Sequence, residues 1–268
     1  MTDNPFALDY REPAQDDIYD AFDRERVEVA KPAPKVEKPD GKRGLVIHDQ
    51  MEQGSEQWHA ARCGLVTASE VKLILTPALK IADNKDTRIH LYELLAQRVN
   101  NYVEPHFQSY DMERGNFDEG HARDKYSEAY EPVTECGFIT NDKWGFTIGY
   151  SPDGLVGDDG LIECKSRVQK WQMKTLIEHV SKGEIPDDYV MQVQTALLVS
   201  ERKWLDFISY SGGMVMPVVR CFPNPKIQEA IIAAVSAFEA RLAEAKAIYD
   251  NLIASDARLI PTERLLYL

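Results

Sequence analysis

"GYSPDGLVGDDGLIECKSR" spans Gly149–Arg167 and decides how the chain is read. Proline and glycine flank Asp153 and force a turn, so Asp153 lies at the end of the strand-like run "FTIGY". The turn signal "GDDG" (Gly157–Gly160) folds a second apolar run back beside the first, the pattern of a β-hairpin. Side chains alternate faces along a strand, so Glu163 and Lys165 share one face of "LIECK" while Ile162 and Cys164 take the other. Ile162 reads as core, which leaves Glu163 and Lys165 to line a cleft. Asp153 and Glu163 come close across the hairpin, with the register left open. Two convergent carboxylates attract a hard divalent cation such as Mg²⁺, and a lysine two residues along can stabilise charge or help activate water. That is the composition of metal-assisted phosphodiester hydrolysis. Asp158 and Asp159, at the tip, are turn formers. The plain alternative is an exposed hairpin, and taken alone the acidic-and-lysine pattern favours it.

Outward from the hairpin the chain alternates between helical and strand-like patterns. "GSEQWHAARCGLVTASEVKLIL" predicts helix, short loop, helix, with Ser55 as N-cap, Gly64 as stop, and Thr67 or Ser69 capping the second helix. Further helices are predicted over about Thr87–Val103 and Met112–Tyr130. Strands are predicted in "VTECGFIT", "WGFTIGYSPDGLV", "GLIECKSR", "KWLDFISYS" and "MVMPVVRCF". "YVMQVQTALLVS" is apolar at helical spacing, and the run from Pro225 to Ala254 is a strong amphipathic helix. This order predicts an α/β (α+β mixed) domain, a central mixed sheet flanked by helices. Residues 1–43 are acidic and proline-rich with sparse apolar residues. They are expected to be a disordered tail with a short helix near Asp17–Val27, and residues 44–268 the folded domain. Tyr10, Tyr19 and Phe22 in the tail have nothing local to pack on, which would suit a partner-docking arm.

The bulk properties narrow the class. A chain of 268 residues with 44% hydrophobic composition can bury a substantial core. There is no run of about 18 apolar residues, so no transmembrane helix is expected. The acidic N-terminus has no signal-peptide pattern, and the four scattered cysteines form no CxxC, so a reducing cytoplasm is expected. A net charge of −13 argues against coating nucleic acid through bulk positive charge, but not against a local basic track.

Five blocks occur in order: "WHAARCGLVTASEV" (Trp58–Val71), "ERGNFDEGHAR" (Glu113–Arg123), "SPDGL" (Ser151–Leu155), "LIECK" (Leu161–Lys165) and "MQVQ" (Met191–Gln194). The set closely resembles the lambda-exonuclease or YqaJ-type viral recombinase family, within the PD-(D/E)XK nuclease superfamily, over roughly Gln57–Tyr210. The resemblance implies a restriction-endonuclease-like core and a Mg²⁺-dependent exonuclease, with Mn²⁺ able to substitute and two ions at the site. The enzyme would degrade the 5′-ended strand of duplex DNA and leave a 3′ overhang. By matching position, Asp153 and Glu163 would be metal ligands with the Cys164 backbone carbonyl, and Lys165 the catalytic lysine. Glu119 would stand on the second-metal side, Gln192 would complete the motif, and Arg62 and Ser69 would hold the 5′-phosphate.

Each role has a plainer competitor. Glu119 stands four residues before Arg123, an ordinary helix ion pair. Arg62 could be a surface salt bridge. Gln192 could be a buried amide, which would still need polar partners. Trp58 is read as core packing, with its indole N–H available to support Lys165. His59, His121 and His179 fall in no nucleophile–base constellation, and Cys164 alternates away from the cleft. The segment "TPALKIADNKDTR" departs from the family, and Lys80, Lys85 and Arg88 are its candidate DNA contacts. The resemblance further implies duplex DNA ends as substrate, a homo-oligomeric ring (a trimer) and a single-strand annealing protein as partner. It also implies a phage or prophage origin with action in a bacterial cytoplasm. The competing readings are a non-catalytic DNA-end-binding or scaffold protein of the same fold, and a structure-selective or Cas4-like nuclease. Scattered cysteines argue against the iron–sulfur cluster that many of the last group carry.

Overall fold

The computed structural model describes residues 27–29, 44–104, 110–255 and 257–267. The chain divides into two compact units, one from residues 1–32 with 256–268 and the other Ala33–Ser255. In the first, β1 (Val27–Val29) pairs antiparallel with β11 (Leu265–Tyr267). The rest of the expected tail, with its short helix and aromatic residues, lies outside the described residues.

The second unit is built on two sheets. One has five strands in the order β10 (Val218–Cys221), β9 (Trp204–Tyr210), β8 (Gly160–Ser166), β7 (Gly154–Val156) and β4 (Val133–Thr134). Its β8–β9 pair is parallel and the others antiparallel, so the sheet is mixed. The other sheet has four strands in the order β2 (Leu45–His48), β5 (Phe138–Asn141), β6 (Ile148–Tyr150) and β3 (Val66–Thr67), with β3–β6 parallel. This agrees with the mixed α/β architecture predicted from sequence.

Among the described residues six α-helices accompany the sheets: α1 (Glu56–Arg62), α2 (Lys85–Asn100), α3 (Tyr110–Ala129), α4 (Gln169–Lys174), α5 (Asp187–Ser200) and α6 (Pro225–Ile253). Ser55 caps α1 by accepting from the Trp58 N–H, as the sequence predicts. The expected second helix after Gly64 is absent. Val66 pairs with Ile148, and the Ala68 N–H bonds to Gly149 O, so the chain enters the sheet first. Only a 3-10 turn, Val71–Leu73, follows. Ser69 therefore has no true helix start behind it.

The main core packs α2, α5 and α6 residues such as Leu94, Val193 and Phe238 with sheet residues such as Leu161 and Phe207. A smaller core lies on the opposite face of β8, where Ile162 and Cys164 meet Ala122 and Tyr126 of α3. The alternation read from "LIECK" is thus realised, with a core on each side. No helix among the described residues is long and apolar enough to cross a membrane.

Candidate active site

The hairpin brings the predicted carboxylates together. Gly154 faces Ile162 and Val156 faces Gly160, so one further step of the same register sets Asp153 opposite Glu163. Asp153 Oδ2 accepts the Cys164 N–H at 2.6 Å, fixing it against the strand that carries the lysine. Glu163 does not line an open cleft, as alternation alone suggested. It is 1% exposed, because α5 and β6 cover its face of β8. Its Oε1 accepts from Lys165 Nζ at 2.6 Å and from Gln192 Nε2 at 2.5 Å. Its Oε2 accepts from the Tyr150 hydroxyl at 3.0 Å. A buried carboxylate needs such partners to offset desolvation. Gln192 is the polar partner the sequence demanded.

Glu119 reaches the site because α3 delivers it there. Glu119, Ala122 and Tyr126 follow a helical stripe, and the last two are buried against β8. The predicted ion pair with Arg123 also forms, at 3.1 Å, without removing Glu119 from the site. Arg123 in turn donates to the Asp153 carbonyl at 2.9 Å, tying α3 to the hairpin.

These groups feel one another. Burial pushes the Asp153 carboxyl well above its ordinary range, and the Glu163 and Glu119 charges add to it. Burial likewise raises Glu119, with Arg123 opposing and Glu163 reinforcing. For Lys165 burial pulls downward, but Glu163 and Asp153 outweigh it and the ammonium ends above its usual value. It is therefore charged at any working pH.

Asp153 and Glu163, set opposite each other with the Cys164 backbone carbonyl next in the chain, offer hard oxygen donors of the kind a divalent cation takes. Among the described residues no group of three or more His, Cys, Asp or Glu side chains is arranged to hold an ion. The set implied for one ion uses only two side chains, Asp153 and Glu163, completed by the Cys164 carbonyl, and so fits these residues.

A second cluster adjoins the first. Arg62 donates to Ser151 Oγ at 2.9 Å and lies 3.5 Å from Thr67 Oγ1, with its guanidinium 4.3 Å over the Trp58 ring. Ser69 Oγ is 3.3 Å from the same Thr67 oxygen. Arg62 thus meets hydroxyls and aromatic faces, and no carboxylate pairs with it among the described residues, so the surface salt bridge is not what forms. Burial lowers its pKa, opposed by Glu70. The Trp58 indole N–H does not support Lys165. It donates to Gly137 O at 3.1 Å and Ser151 Oγ at 3.0 Å, because α1 packs over the β5–β6 strands. Ser151 therefore links the arginine cluster to the Asp153 turn.

Lys80, Lys85 and Arg88 are exposed around the start of α2, and Arg88 pairs with Asp83 at 3.4 Å. No described contact joins them to the hairpin. Two residues of the site escaped the sequence reading. Tyr150 ends the predicted strand "FTIGY" but carried no chemical signal. Tyr189 sits one turn before Gln192 on α5, with Lys165 Nζ 5.4 Å from its ring centre.

Residues 57–203 match the model of the YqaJ-like viral recombinase domain, more than half of the chain. The chain belongs to this family. Its fold is similar to an alkaline exonuclease (LHK-Exo) from Laribacter hongkongensis, at 30% identity and a TM-score of 0.60, covering 74% of this chain and 100% of that one. The same protein in complex with dAMP gives 31% identity and a TM-score of 0.61 with the same coverage. A phage related exonuclease from Haemophilus somnus 129PT shares the fold at 14% identity and a TM-score of 0.50, covering 69% of this chain and 96% of that one. No curated protein matches the chain. The YqaJ-type assignment made from the five sequence blocks is borne out.

Proposed function

We propose that this YqaJ-type protein is a DNA-hydrolysing nuclease of the lambda-exonuclease type, carried by residues 44–268. It digests the 5′-ended strand of linear duplex DNA and leaves 3′ overhangs for recombination by strand annealing. The observation that carries this reading is the buried Glu163 carboxylate, shared by Lys165, Gln192 and Tyr150 and set opposite Asp153. An ordinary hairpin has no need of such a group.

Asp153, Glu163 and the Cys164 carbonyl would hold Mg²⁺, or Mn²⁺ in its place, with Glu119 beside a second ion. Such ions supply Lewis-acid polarisation of the phosphoryl oxygen and lower the pKa of the attacking water. The protein's own residues do the rest. Gln192 and Tyr150 fix the Glu163 carboxylate in one orientation. Lys165 places positive charge beside developing phosphoryl charge. Arg62 offers a planar fork to a terminal phosphate, with the Ser69 hydroxyl next to it. Ser151 holds that fork in fixed relation to Asp153. A ring of three copies would keep DNA threaded, and an annealing protein would receive the overhang.

The test uses linear duplex DNA bearing one 5′-phosphate, with Mg²⁺ or with EDTA. Mg²⁺-dependent release of 5′-mononucleotides by wild type, and its loss in Lys165→Ala, is expected. Equal cutting of closed circular and linear duplex would point instead to an endonuclease. Binding to ends with no hydrolysis under any divalent metal would favour the scaffold alternative.

A further inference from the structure

Alternation on β8 does not stop at Lys165. The next residue on the same face is Arg167, just beyond the strand end, its own N–H bonded to Tyr210 O at 2.7 Å. Its guanidinium stands 4.8 Å from the centre of the Tyr189 ring, the ring that Lys165 also approaches. Tyr189 is braced from behind by Phe207, ring centres 5.4 Å apart, so the platform is rigid. Unlike Lys165, whose charge Glu163 answers, Arg167 has no hydrogen bond or ion pair to its guanidinium among the described residues. Its Nε is buried without a partner. A buried donor left unsatisfied costs free energy and calls for an explanation.

The surroundings point to an anion. Lys165 and Arg167 both approach the Tyr189 ring, so two cations converge there in a chain whose net charge is −13. A guanidinium over a tyrosine ring, with no hydrogen bond to its two terminal nitrogens among the described residues, can offer those nitrogens to a phosphate diester.

We propose that Arg167, oriented by Tyr189, binds a backbone phosphate of the DNA strand lying in the catalytic cleft, next to the phosphate that is cut. This rests on the nuclease reading and adds a DNA contact outside the family's motif positions. The contact differs from the Arg62 cluster, since Arg62 faces a strand terminus and Arg167 an internal phosphate.

The experiment measures binding of fluorescent linear duplex DNA in Ca²⁺ as a function of salt, for wild type, Arg167→Ala and Arg167→Lys. Arg167→Ala is expected to bind about tenfold more weakly, with the slope of log K against log salt reduced by about 1. Arg167→Lys keeps the charge and loses the fork, so it should regain the slope but only part of the affinity. Because the guanidinium has no polar partner among the described residues and only its contact with the Tyr189 ring to lose, Arg167→Ala should melt within a few degrees of wild type. A clear loss of stability in both variants would make Arg167 structural and overturn the proposal. Wild-type affinity and slope in Arg167→Ala, with wild type itself binding and cutting DNA, would overturn the proposal alone. Failure of wild type to bind duplex DNA would overturn the nuclease reading with it.

Discussion

At the scale of single residues, the Glu163 carboxylate depends on the three donors that hold it, Lys165, Gln192 and Tyr150. Strand alternation and a proline–glycine turn are local, so the shared face of Glu163 and Lys165 could be read from sequence, whereas their singling out with Asp153 rested on the family resemblance. Tyr150 and Tyr189 join the site through contacts between separate segments, which no local pattern encodes. Tyr150 makes the first prediction. Burial, then the Glu163 charge, pushes its phenol upward, so it remains a donor to Glu163 at any working pH. It is buried and cannot touch DNA. Tyr150→Phe should therefore lower kcat roughly tenfold, about 1.4 kcal/mol, while KM for DNA ends stays the same. An unchanged kcat in single-turnover kinetics would show that Glu163 is oriented without it. Cysteine chemistry gives the second. Burial, aided by Asp206, pushes the Cys221 thiol up to about 11. Its reactive thiolate is therefore scarce at pH 8, by about a hundredfold against an ordinary thiol, and grows tenfold per pH unit toward 11. Alkylation followed by mass spectrometry should trace that rise. A plateau near pH 9 would mean the thiol is not shielded.

At the scale of elements, helices with long apolar periodicity were legible, and the short segment after Gly64 was not. "TASEVKLIL" carries helical spacing, yet Val66–Thr67 is captured as a parallel strand against β6, and one 3-10 turn is all that remains. Tertiary pairing overrides local propensity there, as it does for many short segments. The hairpin register was also beyond the sequence, although its turn chemistry was not. A close approach helps to hold that register. A Cβ at Gly160 would sit 2.2 Å from the Trp204 indole, which packs across the turn under Arg220. Gly160→Ala should cost about 1–3 kcal/mol through overpacking, a fall in Tm of roughly 2–4 °C per kcal/mol. It should also reduce nuclease activity, because the β7–β8 pairing sets Asp153 against Glu163. Replacing Trp204 by a smaller residue in the same chain should recover part of the Tm. If Gly160→Ala melts like wild type, the hairpin tolerates the shift and the register is held elsewhere.

At the scale of the whole molecule, the net acidity misleads if it is taken to rule out an anionic partner. It averages over a surface, whereas Lys165 and Arg167 stand together at the Tyr189 ring. The core is likewise local to one unit. Among the described residues, every buried member of both apolar cores falls between Val66 and Leu242, within Ala33–Ser255. Inside that unit α6 is fastened to α2 by Arg98, whose two terminal nitrogens reach the Glu239 carboxylate at 2.7 and 2.6 Å while its Nε donates to Gly64 O at 2.7 Å. A fragment of residues 33–255 therefore keeps both large sheets, the six described helices and this clamp. It should unfold in one cooperative transition within a few degrees of the full chain, since burial rather than chain length sets stability. Within the fragment, Leu242→Ala should cost about 2–5 kcal/mol, because Leu242 lies buried where α6 meets the core. Circular dichroism melts of both chains would decide the point. A fragment with helical signal but no cooperative transition would mean that the unit formed by residues 1–32 and 256–268 contributes to the core's stability. An equal melt, with the Leu242 penalty intact, would assign the fold to residues 33–255.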